Sequence, residues 1–213
     1  STVDKAAAQA MERGFASVYD AIIVTEQERY LGIVTVRDLL IATISIREKN
    51  AADASPLTGL PGNNAIQRTI GKVLHGSENY AIVYLDLDNF KAYNDAYGFT
   101  NGDCMLKTLA KAMKLCCSAD DFMGHIGGDD FVIITRDMER LQQLCSDIID
   151  TFAGLIQPLY SPSDWERGYI VSKDRNGFPK NFPIVTLSIA AVTNRTSGFS
   201  ETAALSKAIA DAK

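Results

Sequence analysis

The sequence predicts an α+β domain, a central and mainly antiparallel sheet flanked by helices, with a small α/β unit in front of it. Three observations predict this. In the longer, C-terminal part the elements read strand, two helices, hairpin, helix, strand. Gly127-Gly128 sits between two β-prone runs, the pattern of a tight hairpin turn that needs positive φ. A polar stretch, residues 49–55, is closed by Pro56 and separates the two parts. The expected division is therefore a unit over 1–48, a linker over 49–55 and a domain over 56–213.

In the first part a short helix is expected from Thr2 to Glu12, with Val3, Ala6, Ala7 and Ala10 on one face. Paired strands follow at Asp20–Thr25 and Tyr30–Val34 across a polar turn, then a helix from Arg37 to Ile46.

The second part opens on the Gly/Pro turn Leu57–Asn63 and a helix from Ala65 to Leu74. Tyr80–Leu85 is apolar on both faces, as in a strand buried inside a sheet, and runs into Asp86-Leu87-Asp88. A helix is expected over Asn89–Ala96, a break over Gly98–Gly102, and a longer helix over Asp103–Cys117. The hairpin follows. Glu139–Ile156 shows the clearest helical period, ended by Pro158. Gly168–Ser172, the turn Asp174-Arg175-Asn176-Gly177 and a strand over Phe182–Val192 form a second hairpin. A last helix is expected over Thr202–Lys213.

Composition excludes some functions. With 213 residues and a net charge of −5, the chain lacks the basic surface of a nucleic-acid binder. No apolar run reaches the length of a membrane helix, and the N-terminus is not a signal peptide. Cys104, Cys116, Cys117 and Cys145 lack metal-ligand spacing and are expected as buried free thiols in a reducing cytoplasm. His75 and His125 are isolated and are expected to be non-ligands.

The chemistry concentrates in acidic residues. Asp129 and Asp130 stand at a hairpin tip beside bare glycine backbone, with no base next to them. Such a tip is either a solvated turn or one wall of a site for a cation that holds phosphates. Asp86 and Asp88 project from one side of a strand end, because side chains alternate. Two carboxylate pairs on neighbouring strands suit Mg2+. Asp88 is also placed to cap the next helix.

Pro56-Leu57-Thr58-Gly59-Leu60-Pro61, Asp86–Asp95, Gly98 with Gly102-Asp103, Gly127–Phe131 and Thr186–Ala190 occur in this order. Together they resemble the GGDEF domain of diguanylate cyclases over residues of about 55 to 213. The resemblance implies that two GTP molecules condense to cyclic di-GMP across a homodimer. It implies that Asp86, the Leu87 carbonyl and Asp129 bind Mg2+ (or Mn2+), and that Asp129 or Asp130 helps deprotonate the attacking hydroxyl. Gly127 and Gly128 would let the nucleotide lie against the backbone, and the amides of Asn89 and Phe90 would hold phosphates. Lys91 is a phosphate contact or a solvated helix lysine. Asn94 and Asp103 look like the guanine readers, although each alone is an ordinary helix-cap residue.

Several positions depart from the family pattern. Asp130 replaces Glu, His125 replaces Arg, Ser118-Ala119-Asp120-Asp121 lacks the Arg of an RxxD inhibition site, and the stretch of about 160–182 is longer than the family's, as an added hairpin would make it. A second activity therefore stands beside cyclase chemistry: a degenerate GTP-binding domain that regulates a linked phosphodiesterase or other partner domain. Asp20–Ile44 resembles one CBS motif, in which Thr35 and Asp38 would hold a nucleotide ribose; the same pair fits a helix cap and its first-turn acid. The combination resembles part of a larger bacterial signalling protein with a phosphodiesterase domain, and the Ser1 start and Lys213 end agree with a fragment.

Overall fold

A computed structural model describes residues 3–14, 17, 19–173 and 177–194, with side chains described for all of these except 3–5 and 47–52. The chain divides into two compact units, Ser1–Asp53 and Ala54–Lys213.

In the first unit, α1 (Val3–Met11) and α2 (Val36–Ala52) accompany the antiparallel pair β1 (Ile22–Glu26) and β2 (Arg29–Val34). Ala10, Val36 and Leu39 form its small core. The α2 helix continues through residues 49–52, where the sequence predicts a linker. Glu48, Lys49, Ala51 and Ala52 are good helix formers, and polarity alone does not end a helix.

The second unit is built on a four-stranded antiparallel sheet of order β4-β5-β3-β8. Its strands are β3 (Ala81–Asp88), β4 (Phe122–Gly127), β5 (Asp130–Thr135) and β8 (Thr186–Thr193). Central β3 is almost wholly buried. Val83, Leu85 and Leu87 pack with Phe131 and Ile133 against α5 (Phe99–Cys116) and α6 (Leu141–Ile156), through Leu109, Met113, Ile148 and Phe152. On the other face, Ile82, Val132 and Ile134 meet Ile66, Ile70 and Val73 of α3 (Asn63–Leu74). Gly124 admits this packing: a Cβ there would lie 2.5 Å from Ile66 Cγ1. Each fully buried aliphatic side chain contributes about 1.5–3 kcal/mol, so the two-sided burial of β3 is what anchors the strand end at Asp86.

Four expectations change. The break at Gly98–Gly102 shrinks to Gly98, at φ +84°, and α5 starts at Phe99. The stretch Phe182–Val192 is two strands, β7 (Pro179–Pro183) and β8, divided where the Val185 amide donates to the Tyr160 hydroxyl at 3.0 Å. The region 160–182 contains a helix, α7 (Pro162–Arg167), capped by Ser161, ahead of the hairpin of β6 (Tyr169–Lys173) and β7. The cysteines are not buried: Cys104 is exposed and the other three are half-buried. The turn residues 174–176 and the helix expected over Thr202–Lys213 lie outside the described residues.

Candidate functional site

The sheet register brings the acidic residues together. Asp86 on β3 lies directly opposite Asp130 on β5 and Ser188 on β8. Asp129 occupies the turn one residue earlier. One oxygen from each of Asp86, Asp129 and Asp130 falls within 4.8 Å of the others. Three half-buried carboxylates this close are a hard, all-oxygen donor set, which fits a divalent cation of the Mg2+ type. Burial, and then the charge of Asp130, raise the pKa of the Tyr84 phenol, which stays neutral beside them.

Asp88 does not take the expected capping role. It lies on the same side of β3 as Asp86, and its carboxylate accepts hydrogen bonds from Thr186 Oγ1 at 2.8 Å and Ser188 Oγ at 2.7 Å. The cap of α4 (Phe90–Tyr97) is Asn89, in the left-handed region at φ 63° and with no side-chain cap bond. Asn tolerates that conformation better than most residues. The resulting sharp turn sets the start of α4 beside the strand end. Phe90 is buried, and Lys91 is exposed in the first turn.

The hairpin tip is fixed from behind by His125, only 6% exposed. Its ring stacks on Phe131, with centroids 4.3 Å apart and planes 5° from parallel. Nε2 lies 3.1 Å from the Gly128 carbonyl oxygen, which can only accept, so the proton sits on Nε2. Nδ1 then accepts from the hydroxyls of Ser55 at 2.8 Å and Thr58 at 3.2 Å. The His125 amide donates to the Pro61 carbonyl at 2.9 Å. The first motif, residues 55–61, is thus a brace for the tip. Gly128, at φ +58°, turns the chain into Asp129. In the sequence His125 stands out only as an isolated histidine and a departure from Arg, because Ser55 and Thr58, which show its bracing role, lie 67 to 70 residues away along the chain.

Asn94 and Asp103 both sit inside helices, on α4 and α5, not at caps. Asn94 Oδ1 is buried over Gly102, with no hydrogen-bond partner among the described residues. Asp103 is exposed on the next residue. Gly102 thus leaves room for the Asn94 amide by lacking a side chain. In the first unit, Thr35 Oγ1 donates to the Asp38 carboxylate at 2.6 Å and accepts from the Asp38 amide at 3.1 Å, the geometry of a helix cap.

A cavity of about 540 Å3 opens beside this array, lined by Leu87, Asn89, Phe90, Lys91, Ala92, Asp95, Asp129, Lys173, Lys180 and Phe182. A pocket of this size suits a nucleotide-sized ligand. The two lysines of the β6–β7 hairpin were not expected here.

A family model described as "Diguanylate cyclase, GGDEF domain" matches residues 52–162, just over half of the chain. The chain belongs to the GGDEF family. The cyclic di-GMP phosphodiesterase PdeR of Escherichia coli is 36% identical over 102 residues, which is 46% of this chain and 15% of that protein. The diguanylate cyclase DgcP of Escherichia coli is 31% identical over 104 residues, 45% of this chain and 30% of that protein. The chain thus spans a small part of the curated relatives it matches. Among solved structures, the diguanylate cyclase SiaD in complex with its activator SiaC, from Pseudomonas aeruginosa, aligns with a TM-score of 0.58 at 21% identity. That alignment covers 83% of this chain and 62% of SiaD, and it shows the shared fold. These findings place the GGDEF domain in cyclic di-GMP signalling, with both cyclases and phosphodiesterases among its relatives. No helix among the described residues is long and apolar enough to cross a membrane.

Proposed function

We propose that the second unit is a diguanylate cyclase-type domain that condenses two GTP molecules into cyclic di-GMP across a homodimer. The observation that carries this reading is the meeting of Asp86, Asp129 and Asp130, of which Asp129 also lines a nucleotide-sized cavity. Asp86, the Leu87 carbonyl and Asp129 would hold Mg2+ or Mn2+. When bound, the ion offsets phosphate charge and orients the phosphates. The amides of Asn89 and Phe90 and the Lys91 ammonium bind phosphate at the start of α4. Gly127 and Gly128 let the nucleotide approach the backbone. Asn94 and Asp103 read guanine. Asp103 accepts from N1–H and the exocyclic amine, and adenine would leave it without donors, a loss on the order of a few kcal/mol.

In the reaction, the 3′-hydroxyl of each GTP attacks the α-phosphate of the other. A P–O3′ bond forms, the bond from the α-phosphorus to the bridging oxygen breaks, and pyrophosphate leaves with that electron pair. Asp129 or Asp130 takes the hydroxyl proton. His125 keeps water-exposed hairpin backbone in one conformation through the Gly128 carbonyl, so Asp129 stays aimed at the site.

Asp130 favours a second reading. It is one methylene shorter than the family's Glu, and a displacement of ~1 Å can cost about a hundredfold in rate. On that reading the domain binds GTP without turnover and regulates a linked phosphodiesterase. The first unit is read as a single CBS motif that joins the domain to the rest of a larger protein in the bacterial cytoplasm, and Thr35 and Asp38 as its candidate nucleotide pair. Incubation of the 213-residue chain with GTP and Mg2+, followed by chromatography for cyclic di-GMP, tests the cyclase reading. No product from the wild type but product from Asp130→Glu identifies a detuned cyclase. GTP binding with no product from either selects the regulatory reading, and absence of GTP binding refutes both.

A further inference from the structure

The strand end that carries the acidic array is held unevenly. β3 pairs with β5 only as far as Asp86, opposite Asp130, whereas its pairing with β8 runs on to Asp88, opposite Thr186. Leu87 and Asp88 thus overhang β5 and are held by a strand on one side only. Just beyond them, Asn89 turns the chain through the left-handed region into α4. The Leu87 carbonyl, a ligand in the proposed cation site, lies on this overhang. Asp88 fastens it. One oxygen of its carboxylate accepts from Thr186 Oγ1 at 2.8 Å and the other from Ser188 Oγ at 2.7 Å. Each hydroxyl has a single proton, and each commits it to Asp88.

Ser188 is itself directly opposite Asp86, so the two hydroxyls bracket the segment from Asp86 to Asp88 on the sheet face that carries both carboxylates. Asp88 is outside the group of Asp86, Asp129 and Asp130 whose oxygens meet within 4.8 Å. With both oxygens engaged from β8, it is placed to hold the strand end, not the ion. A loosened strand end would not affect all cations alike. Mg2+ demands near-octahedral geometry at about 2.0–2.1 Å, while Ca2+ accepts about six to eight oxygens at about 2.3–2.6 Å in flexible arrangements. We propose that Asp88, Thr186 and Ser188 are positioning residues that fix the Leu87 carbonyl and Asp86 for a small octahedral cation, and so set a preference for Mg2+ over Ca2+. This rests on the reading of the carboxylates as a cation site and adds to it the residues that set its selectivity.

The test uses the full chain, with Mn2+ as a paramagnetic resonance probe and Mg2+ and Ca2+ as competitors, with and without GTP. Thr186→Val/Ser188→Ala removes both hydroxyls and keeps the Asp88 charge. It is expected to weaken Mg2+ and Mn2+ about tenfold and to leave Ca2+ within about twofold of wild type. Thr186→Ser/Ser188→Thr, which keeps both hydroxyls, is expected to stay within about twofold for all three ions. Thermal melting of each protein ensures that folded chains are compared. If the double variant does not fold, Ser188→Ala alone is read, with an expected loss of about threefold for Mg2+ and no loss for Ca2+. Unchanged Mg2+ affinity without the hydroxyls overturns the positioning role and leaves the cation site standing. Equal losses for Mg2+ and Ca2+ also overturn it, since that pattern means a general distortion. Absence of Mn2+ binding by wild type, with and without GTP, refutes the cation reading itself and the positioning role with it.

Discussion

Replacement of His125 tests the brace behind the hairpin tip. The ring is buried, stacks on Phe131 and bonds to Ser55, Thr58 and Gly128. The stack contributes about 0.5–1.5 kcal/mol beyond area burial. Each of the hydrogen bonds contributes about 1 kcal/mol net. Removal of the ring also leaves a void, and aromatic-to-alanine changes in cores cost about 3–5 kcal/mol. His125→Ala should therefore destabilise the second unit by about 3–4 kcal/mol. His125→Phe keeps the stack and the volume, and loses only the polar contacts. Ser55, Thr58 and Gly128 are not fully buried, so water can replace part of what they lose, and the cost should be about 1–2 kcal/mol. Trp165 is the only tryptophan and lies in the second unit, so its fluorescence reports on that unit during urea unfolding. At an m-value of about 2 kcal/mol/M, the alanine variant should shift the midpoint by about 1.5–2 M and the phenylalanine variant by about half that or less. The reasoning fails if alanine costs less than about 1 kcal/mol, or if phenylalanine costs as much as alanine.

Three further outcomes follow from the geometry. A Cβ on Gly102 would overlap Asn94 Oδ1 and lie 2.9 Å from its Cγ, so Gly102→Ala should expel the Asn94 amide. The gain in helix propensity, about 0.5–1 kcal/mol, offsets the strain; melting should move by no more than about 4 °C while GTP affinity falls about three- to tenfold, and undiminished affinity would count against Asn94 as a base reader. Burial, and then the charge of Asp121, push the Cys117 thiol up to about 12, whereas Cys104 is exposed. Iodoacetamide at pH 8 should therefore label Cys104 first and Cys117 last by peptide mapping, and the reverse order would refute this. The hydrogen bond from Tyr97 holds the Asp164 carboxyl below its ordinary 3.8, with Ser161 and Arg167 adding to it against the opposing effect of burial. A lowered carboxylate pKa stabilises the fold above the unfolded value and loses that contribution as pH falls through the folded value. Tyr97→Phe should thus cost more stability at pH 7 than at pH 2.5, and an equal cost at both would exclude the linkage.

Much of the site was legible because its signals are local. Glycines between β-prone runs place the tip, and the alternation along Ala81–Asp88 puts Asp86 and Asp88 on one side. The register that sets Asp86 opposite Asp130 follows once the strands pair. What escaped depended on distant partners. The role of Asp88 is decided by hydroxyls about 100 residues further on. The break between β7 and β8 is set by the Tyr160 hydroxyl. Gly102 reads as a helix breaker, and only the position of Asn94 shows why a helix accommodates it. Lys173 and Lys180 look like ordinary hairpin lysines until the fold carries them to α4. The α7 helix was a missed local signal, since Ser161-Pro162 is a standard cap and first-turn pair.

The order of strands bears on how the chain is made. β3 pairs with β5 on one side and with β8 on the other, and β8 is the last of the four strands of this sheet to leave the ribosome. Roughly sixty residues separate the end of β5 from the end of β8, or ~3–12 s of synthesis. Through that interval the central strand of the sheet offers an unpaired edge, the situation that invites strand addition by other chains. The carboxylates of β3 and of the hairpin can already be in place then. Nascent chains would thus assemble the acidic array before the sheet is protected, and slow translation between residues 135 and 193 should raise aggregation more than slow translation after it.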